Sequence, residues 1–299
     1  MSDQLLDAPA RVRTSFLSGP FLVLLASALW GTTGTAASFA PADASPLSIG
    51  AATMGFGGLL LLAIAGRSAF DVLRSGQLGL LVVGALAVAV YPLAFYSSMA
   101  LAGVAVGTVV TLGSAPVFAA ILERVADGVR LDGRWALSAG LSVLGLLLIT
   151  GGWTGAGAST VLGALLGLLG SASYVVYSWS AARMMRRGHG SRAVMGAMFG
   201  SGSLVLLPVL AFTGGPLLSS PSGLVVAGYL AVIPMGLAYV LFGAGLRRTS
   251  TSVATTLSLL EPVVAAVLGV LVVGERLGAG AWCGIGLIGI GLVLVSTRR

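Results

Sequence analysis

The chain alternates long apolar stretches, almost free of charge, with short segments that hold its charged residues and many of its prolines. Ten such stretches can be drawn, each with about the twenty residues that an α-helix needs to cross a bilayer. They cover residues 17–38, 47–66, 78–98, 102–122, 135–152, 160–181, 193–213, 223–246, 250–273 and 279–296. The pattern therefore predicts an all-α membrane protein with ten transmembrane helices.

Composition agrees with this prediction and leaves little chain for a soluble domain. Of the 299 residues, 57% are hydrophobic and only 8% are charged, and the mean hydropathy is +1.04. Soluble domains carry about 25% charged residues. Residues 1–14 are expected to form a short cytoplasmic tail. The first apolar run, from Thr14 to Ala42, exceeds the roughly 7–15 residues of a signal-peptide core, so we expect it to be retained as the first span.

The placement of arginine predicts the orientation of the chain. All 16 basic residues are arginine, and fifteen of them fall on one side of the ten predicted spans. These fifteen are Arg11, Arg13, Arg67, Arg74, Arg124, Arg130, Arg134, Arg183, Arg186, Arg187, Arg192, Arg247, Arg248, Arg298 and Arg299. Because short cytoplasmic loops are enriched in basic residues, both termini are expected in the cytoplasm. The net charge of +7 is assigned to the membrane surface, and no nucleic acid partner is expected.

The two halves of the chain repeat one another. Residues 116–148 align with residues 262–294 at a constant offset, and both segments begin with Pro-Val. Trp30 of the first predicted helix similarly aligns with Tyr174 of the sixth. We therefore divide the chain into halves at residues 15–153 and 154–299, with five predicted helices in each. Because five is an odd number, the second half enters the membrane from the opposite side, as in the inverted repeats of secondary transporters.

The ninth predicted span carries an acidic residue in an apolar run, Glu261, followed at once by Pro262. Ionisable residues within spans are costly and usually functional. Thr255, Ser258 and Glu261 recur every third residue, so in a continuous helix they share one face. Glu261 is a candidate to bind a cargo amine, to carry a coupling proton or to gate by switching partners. The alternative is structural, because Pro262 lacks an N–H and frees a backbone carbonyl one turn earlier.

Aromatic residues form the second candidate set, since several lie well inside their spans rather than at the interfaces. A buried tyrosine hydroxyl needs a hydrogen-bond partner, which a polar cavity supplies, although each ring taken singly is equally compatible with packing of the helices. The sequence thus predicts a cavity for a flat apolar group. The predicted substrate-binding residues are Trp30, Tyr91, Phe95, Tyr174, Tyr239, Thr255 and Ser258, and the predicted gating or structural residues are Glu261 and Pro262.

Two five-helix halves, together with the Ala-Leu-Trp-Gly at 28–31 and the Leu-Glu-Pro at 260–262, resemble the drug/metabolite transporter superfamily in its EamA branch. Within it the chain is most similar to exporters of aromatic amino acids. The resemblance implies export of aromatic and other neutral amino acids across the bacterial inner membrane by alternating access. One departure is that the first half has Ala115-Pro116 where the second has Glu261-Pro262, so the halves are not functionally equivalent.

Other functions fit the sequence less well. Membrane enzymes need paired acids, a histidine-rich metal site or a nucleophile with its base, whereas the predicted spans hold one carboxylate and no histidine, and His189 and Cys283 each stand alone. No cofactor or metal is expected, and the partners expected are the lipid bilayer and the cargo, with the chain a monomer. A receptor or scaffold stays open. Among transporters, the alternative is efflux of multiple drugs or lipophilic cations.

Overall fold

The computed structural model describes residues 18–102, 104–130, 132–149, 158–273 and 278–296. Every regular element in these ranges is helical. The helices are α1 (Gly19–Trp30), α2 (Thr33–Ala37), α3 (Pro46–Ala65), α4 (Arg67–Arg74), α5 (Leu78–Ala102), α6 (Val104–Asp127), α7 (Gly133–Ile149), α8 (Ala158–Arg186), α9 (Ser191–Thr213), α10 (Gly215–Leu218), α11 (Pro221–Leu230), α12 (Ala238–Leu246), α13 (Thr251–Leu257), α14 (Leu260–Leu268) and α15 (Ala279–Ser296). The predicted tail, most of the junction between the halves, Arg276, Arg298 and Arg299 lie outside the described residues.

Eight helical stretches in the described chain are long and apolar enough to cross a membrane. They are Gly19–Ala37, Pro46–Ala65, Leu78–Ala102, Gly107–Asp127, Ser159–Arg186, Ser191–Thr213, Pro221–Leu246 and Thr251–Val272. The predicted fifth and tenth spans are also apolar helices, but they are shorter, at Gly133–Leu148 and Ala279–Val295. The all-helical membrane fold is thus confirmed, whereas the count of ten crossings stays a prediction.

The fourth predicted span ends at about residue 122, and the helix that corresponds to it is longer. Helix α6 continues to Asp127, so the apolar stretch also contains Glu123, whose exposed fraction is only 2%. Its burial is possible because two backbone N–H groups at the start of α13 donate to its carboxylate. Glu261, which is half-buried, is therefore not the only carboxylate within the apolar helices. The sequence could not show this, since the partner lies more than a hundred residues away.

Several spans are interrupted near the middle of the bundle. The first span breaks between α1 and α2 at Gly31 and Thr32, and the ninth breaks between α13 and α14 at Ser258 and Leu259. The eighth contains a π-helical segment, Ala231–Leu237, which includes Pro234. Interrupted helices expose backbone groups that only protein or a cavity can satisfy, and transporters commonly place their binding sites at such breaks.

Helices of the two halves pack against each other rather than forming separate bundles. The main pairs are α1 with α12, α3 with α9, α5 with α8, α6 with both α8 and α13, and α7 with α15. Small residues permit close approach: a Cβ added at Gly58 of α3 would lie 2.5 Å from the Phe199 carbonyl oxygen of α9. In a bilayer no hydrophobic force drives helices together, so they associate through close packing contacts of this kind.

Candidate binding cavity

A cavity lies among the interrupted helices. Its lining residues are Trp30, Thr33, Gly50, Thr53, Met54, Tyr91, Pro92, Phe95, Tyr96, Leu112, Tyr174, Tyr177, Pro234, Met235, Tyr239 and Glu261. They come from α1, α2, α3, α5, α6, α8, α12, α14 and the π-helical segment. Both halves of the chain therefore contribute to one wall, which suits a site whose access changes when the halves move.

A second cavity adjoins the first and shares Trp30, Phe95 and Glu261 with it. It extends to Pro46, the first residue of α3, and to Ala100, near the last residue of α5. The opposite ends of α3 and α5 adjoin the arginines of α4. The combined cavity thus runs from the middle of the bundle towards the end that lies away from the arginines.

Aromatic rings form most of the inner wall. The ring of Trp30 packs with its centroid 5.0 Å from that of Tyr239, and Tyr91 stacks on Phe95 at 5.7 Å with the two planes only 5° apart. The ring of Tyr174 lies 5.9 Å from that of Tyr91. These separations are within the 4.5–7 Å range of favourable aromatic pairs. The rings support each other, so the wall is organised before any cargo enters.

Hydrogen bonds fix the orientation of three of these side chains. The indole Nε1 of Trp30 donates to the carbonyl oxygen of Pro234 at 2.8 Å. The hydroxyls of Tyr177 and Tyr239 bond each other at 2.8 Å, and the hydroxyl of Tyr174 bonds the Ser258 hydroxyl at 2.7 Å. The Trp30 bond uses a carbonyl within the π-helical segment. The irregular backbone therefore orients the largest ring in the cavity.

Glu261 is the charged group of this site. It is the second residue of α14, it is half-buried, and it lines both cavities. Its carboxylate forms no hydrogen bond or ion pair with the described residues, and the described lining includes no arginine or histidine. A half-buried carboxylate that has no partner and lies in an aromatic wall can readily bind a cation. It also lacks the hydrogen bond to a freed carbonyl that a purely bracing role would use.

Two acidic residues, Glu123 and Asp127, join the helices at the arginine-rich end of the bundle. The Thr251 N–H donates to Glu123 Oε1 at 2.6 Å and the Ser252 N–H donates to Oε2 at 3.3 Å, which connects α6 to the start of α13. One turn later, Asp127 forms ion pairs with Arg183 and Arg186 of α8. The Trp179 indole N–H also donates to Asp127, at 2.7 Å. This end of the bundle is therefore held closed below the cavity.

Six of the predicted site residues meet around the inner cavity: Trp30, Tyr91, Phe95, Tyr174, Tyr239 and Glu261. Pro262 lines the second cavity. Thr255 and Ser258 are buried outside the described linings: Thr255 donates to the Ser252 carbonyl oxygen at 3.1 Å, and Ser258 supports Tyr174. The physical reason is the break after α13, which interrupts the face that a continuous helix would share with Glu261. Their direct contact with cargo stays a prediction.

Sequence reasoning missed several lining residues, among them Thr53 and Met54 of α3 and Leu112 of α6. Tyr96 and Tyr177, which were not in the predicted set, also line the cavity. The signal that could have identified them is their position well inside the predicted spans. It also missed Glu123 and Asp127. An acidic residue at the end of an apolar run is ordinarily assigned to a solvated loop, and only the folded chain brings it to its partners.

Comparisons with known proteins agree with this architecture. The sequence profile of the EamA-like transporter family matches residues 17–151 and again residues 161–297. The uncharacterized transporter YwfM of Bacillus subtilis (strain 168) is 33% identical over 274 residues, which are 92% of each chain. The uncharacterized inner membrane transporter YicL of Salmonella typhimurium is 27% identical over 291 residues, or 93% of this chain and 95% of its own. A solved crystal structure covers 93% of this chain with a TM-score of 0.78 at 23% identity, a likeness that shows the shared fold.

Proposed function

The chain belongs to the EamA-like transporter family, and from this premise we propose that it exports small molecules that carry an amine and a flat apolar group. Export proceeds by alternating access, without a bound cofactor. The observation that carries the proposal is the carboxylate of Glu261 within the aromatic cavity, which has no hydrogen-bond or ion-pair partner among the described residues. The carboxylate attracts the ammonium group, and the rings of Trp30, Tyr91 and Tyr239 receive the flat group.

The topology that goes with this proposal has ten crossings and two inverted halves in the bacterial inner membrane, with both termini in the cytoplasm. The packing supports it. In the repeat, the counterparts are α1 and α8, α3 and α9, α5 and α12, α6 and α13, and α7 and α15. When each helix is replaced by its counterpart, the α1–α12 pair becomes the α8–α5 pair, and the α3–α9, α6–α13 and α7–α15 pairs are unchanged. Under this orientation the arginine-rich end is cytoplasmic, so the structure corresponds to an outward-facing state that is closed on the inside.

Aromatic amino acids are the first cargo class, on the grounds of the resemblance to their exporters. A second class, lipophilic amines, is favoured by a specific feature of the lining. A zwitterionic amino acid brings a carboxylate that needs a cation or several free donors. The described lining holds no arginine or histidine, and its only carboxylate is Glu261. Since that group would repel the cargo's own carboxylate, the geometry favours an amine without one.

The test uses two compounds that differ only by the carboxylate, phenylalanine and phenethylamine. Purified protein in liposomes is loaded with one unlabelled compound, and entry of the labelled compound is measured as counterflow. We expect phenethylamine to exchange faster, and Glu261→Gln to reduce its exchange at matched amounts of folded protein. Asp71→Asn is the control, because Asp71 is an exposed acid on α4, outside the cavity.

Each outcome decides between the alternatives. Exchange of phenylalanine equal to that of phenethylamine would establish amino acid cargo and would reject the carboxylate argument. Exchange of both compounds in Glu261→Gln at the wild-type rate would remove Glu261 from cargo binding. If Glu261→Gln exchanges normally but no longer accumulates cargo under a pH gradient, the residue carries the coupling proton instead.

A further inference from the structure

A groove lies on the outer surface at the arginine-rich end, between α6 and α7. Its apolar part is formed by Ile121, Val125 and Val129, and its rim carries Arg124, Arg130 and Trp135. Val125 has an exposed fraction of 80% and Ile121 of 55%. In a chain that spans a membrane, these apolar side chains are positioned to meet lipid.

The two arginines of the groove are available for a ligand. Both are exposed, and neither forms an ion pair or hydrogen bond with the described residues. The two acids on the same part of α6 are already engaged, Glu123 by the backbone of α13 and Asp127 by two arginines of α8. An arginine guanidinium stays charged, and it matches the geometry of a phosphate with paired N–H donors.

Trp135 marks the depth of the groove in the membrane. It is half-buried near the start of α7, and its indole N–H lies 3.5 Å from the Ser252 carbonyl oxygen. Tryptophan is enriched where the hydrocarbon core meets the headgroups. The groove therefore combines an apolar surface on the hydrocarbon side with two arginine side chains at the depth of the lipid headgroups.

We propose that this groove binds an anionic phospholipid of the surrounding bilayer. The guanidinium groups of Arg124 and Arg130 hold the phosphate, and an acyl chain lies along Ile121 and Val125. Basic pockets between transmembrane helices on the cytoplasmic side are known to suit such headgroups. The charge complementarity and the continuity of the groove with the lipid-facing surface support a lipid rather than a second copy of the chain. This site is independent of the cargo in the cavity.

The test measures retention of phosphatidylglycerol against phosphatidylcholine by native mass spectrometry of the detergent-solubilised protein. The variant is Arg124→Gln with Arg130→Gln, and the matched control is Arg67→Gln with Arg74→Gln, two exposed arginines of α4. At about 1 kcal/mol per arginine, the groove variant should lose roughly 30-fold in preference for phosphatidylglycerol. The control pair should retain it.

The proposal is overturned by three results. Equal loss in both pairs would mean that general surface charge attracts the lipid. Unchanged preference in the groove variant would mean that the lipid binds elsewhere. A dimer that dissociates only in the groove variant would identify a second copy of the chain as the occupant. Circular dichroism and phenethylamine counterflow, measured on the same preparations, keep a failed fold or failed transport distinguishable from loss of the lipid site.

Discussion

Replacing Glu123 by glutamine should open the arginine-rich end of the bundle. In the structure its two carboxylate oxygens accept from the first two N–H groups of α13, at 2.6 and 3.3 Å. These groups have no partner within their own helix. The side chain is 2% exposed, so solvent does not screen the contact. The carboxylate therefore ties α6 to α13 as an N-terminal cap supplied from another helix.

The magnitude follows from what glutamine keeps and loses. The amide oxygen still accepts one N–H, but the second acceptor becomes a donor and the negative charge disappears. A hydrogen bond to a charged group contributes about 1.5–3 kcal/mol, and a charge at a helix N-terminus adds about 0.3–1 kcal/mol. Allowing for the retained bond, closure loses about 2 kcal/mol. That corresponds to a roughly 30-fold shift from closed towards open.

The assay is a distance measurement between α6 and the start of α13. Nitroxide labels at Val125→Cys and Arg247→Cys, both exposed positions at this end, report the separation by pulsed electron resonance. The background is Cys283→Ser, because the single native cysteine is exposed. We expect one short distance in the parent protein and an added population at longer distance after Glu123→Gln.

Asp71→Asn is the control for this experiment, since it removes an exposed acid from α4 without breaking a contact. An unchanged distance distribution in a folded Glu123→Gln protein would refute the assignment of Glu123 to closure. A lower melting temperature with the same distribution would mean that the carboxylate only stabilises α13.

Three further predictions concern orientation, packing and the cavity wall. A cysteine placed at Gly215 should react with an impermeant thiol reagent from outside intact cells, whereas one at Arg187 should not; equal labelling would reject the proposed topology. Gly31→Ala should destabilise the protein by about 1–3 kcal/mol and lower its melting temperature, because the added Cβ would lie 2.5 Å from a valine Cβ of α14. Gly34→Ala should leave the melting temperature unchanged, because nothing lies within 4 Å of the added Cβ. Trp30→Phe keeps a ring but removes the 2.8 Å bond to the π-helical segment, so cargo affinity and stability should each fall by about 1 kcal/mol, as measured by counterflow and thermal unfolding.

The sequence predicted the helical class and eight of the spans because a bilayer imposes one simple requirement, a long apolar run. It could not predict where a span ends when the terminal residues are charged, as at the end of α6. There the decisive interaction comes from the distant backbone of α13, whose N–H groups donate to the capping carboxylate of Glu123. The break at Ser258 was also hidden, because Ser, Leu and Glu are all compatible with a continuous helix.

The candidate site was predictable where a residue type is costly at its position. Glu261 and the aromatic residues inside the spans stand out against apolar neighbours, and Trp30, Tyr91 and Tyr239 do line one cavity. Thr53 did not stand out, because its hydroxyl can bond a carbonyl of its own helix, as it does with Ile49 at 2.7 Å. Such a residue costs little in a membrane helix and so gives no signal of a cavity.

The buried carboxylate of Glu123 and the half-buried carboxylate of Glu261 suggest a connection between closure and the proposed cargo binding. Glu123 is satisfied by the first N–H groups of α13, whereas Glu261, in the first turn of α14, has no partner among the described residues. Both therefore act on one interrupted span, on opposite sides of the break at Ser258. If a cargo cation binds Glu261, as proposed, it would act on α14 alone, and the break would let α14 move while α13 stays capped. Release of the cap would then allow α13 to follow, and the order of the two steps would depend on the strength of the Glu123 contact.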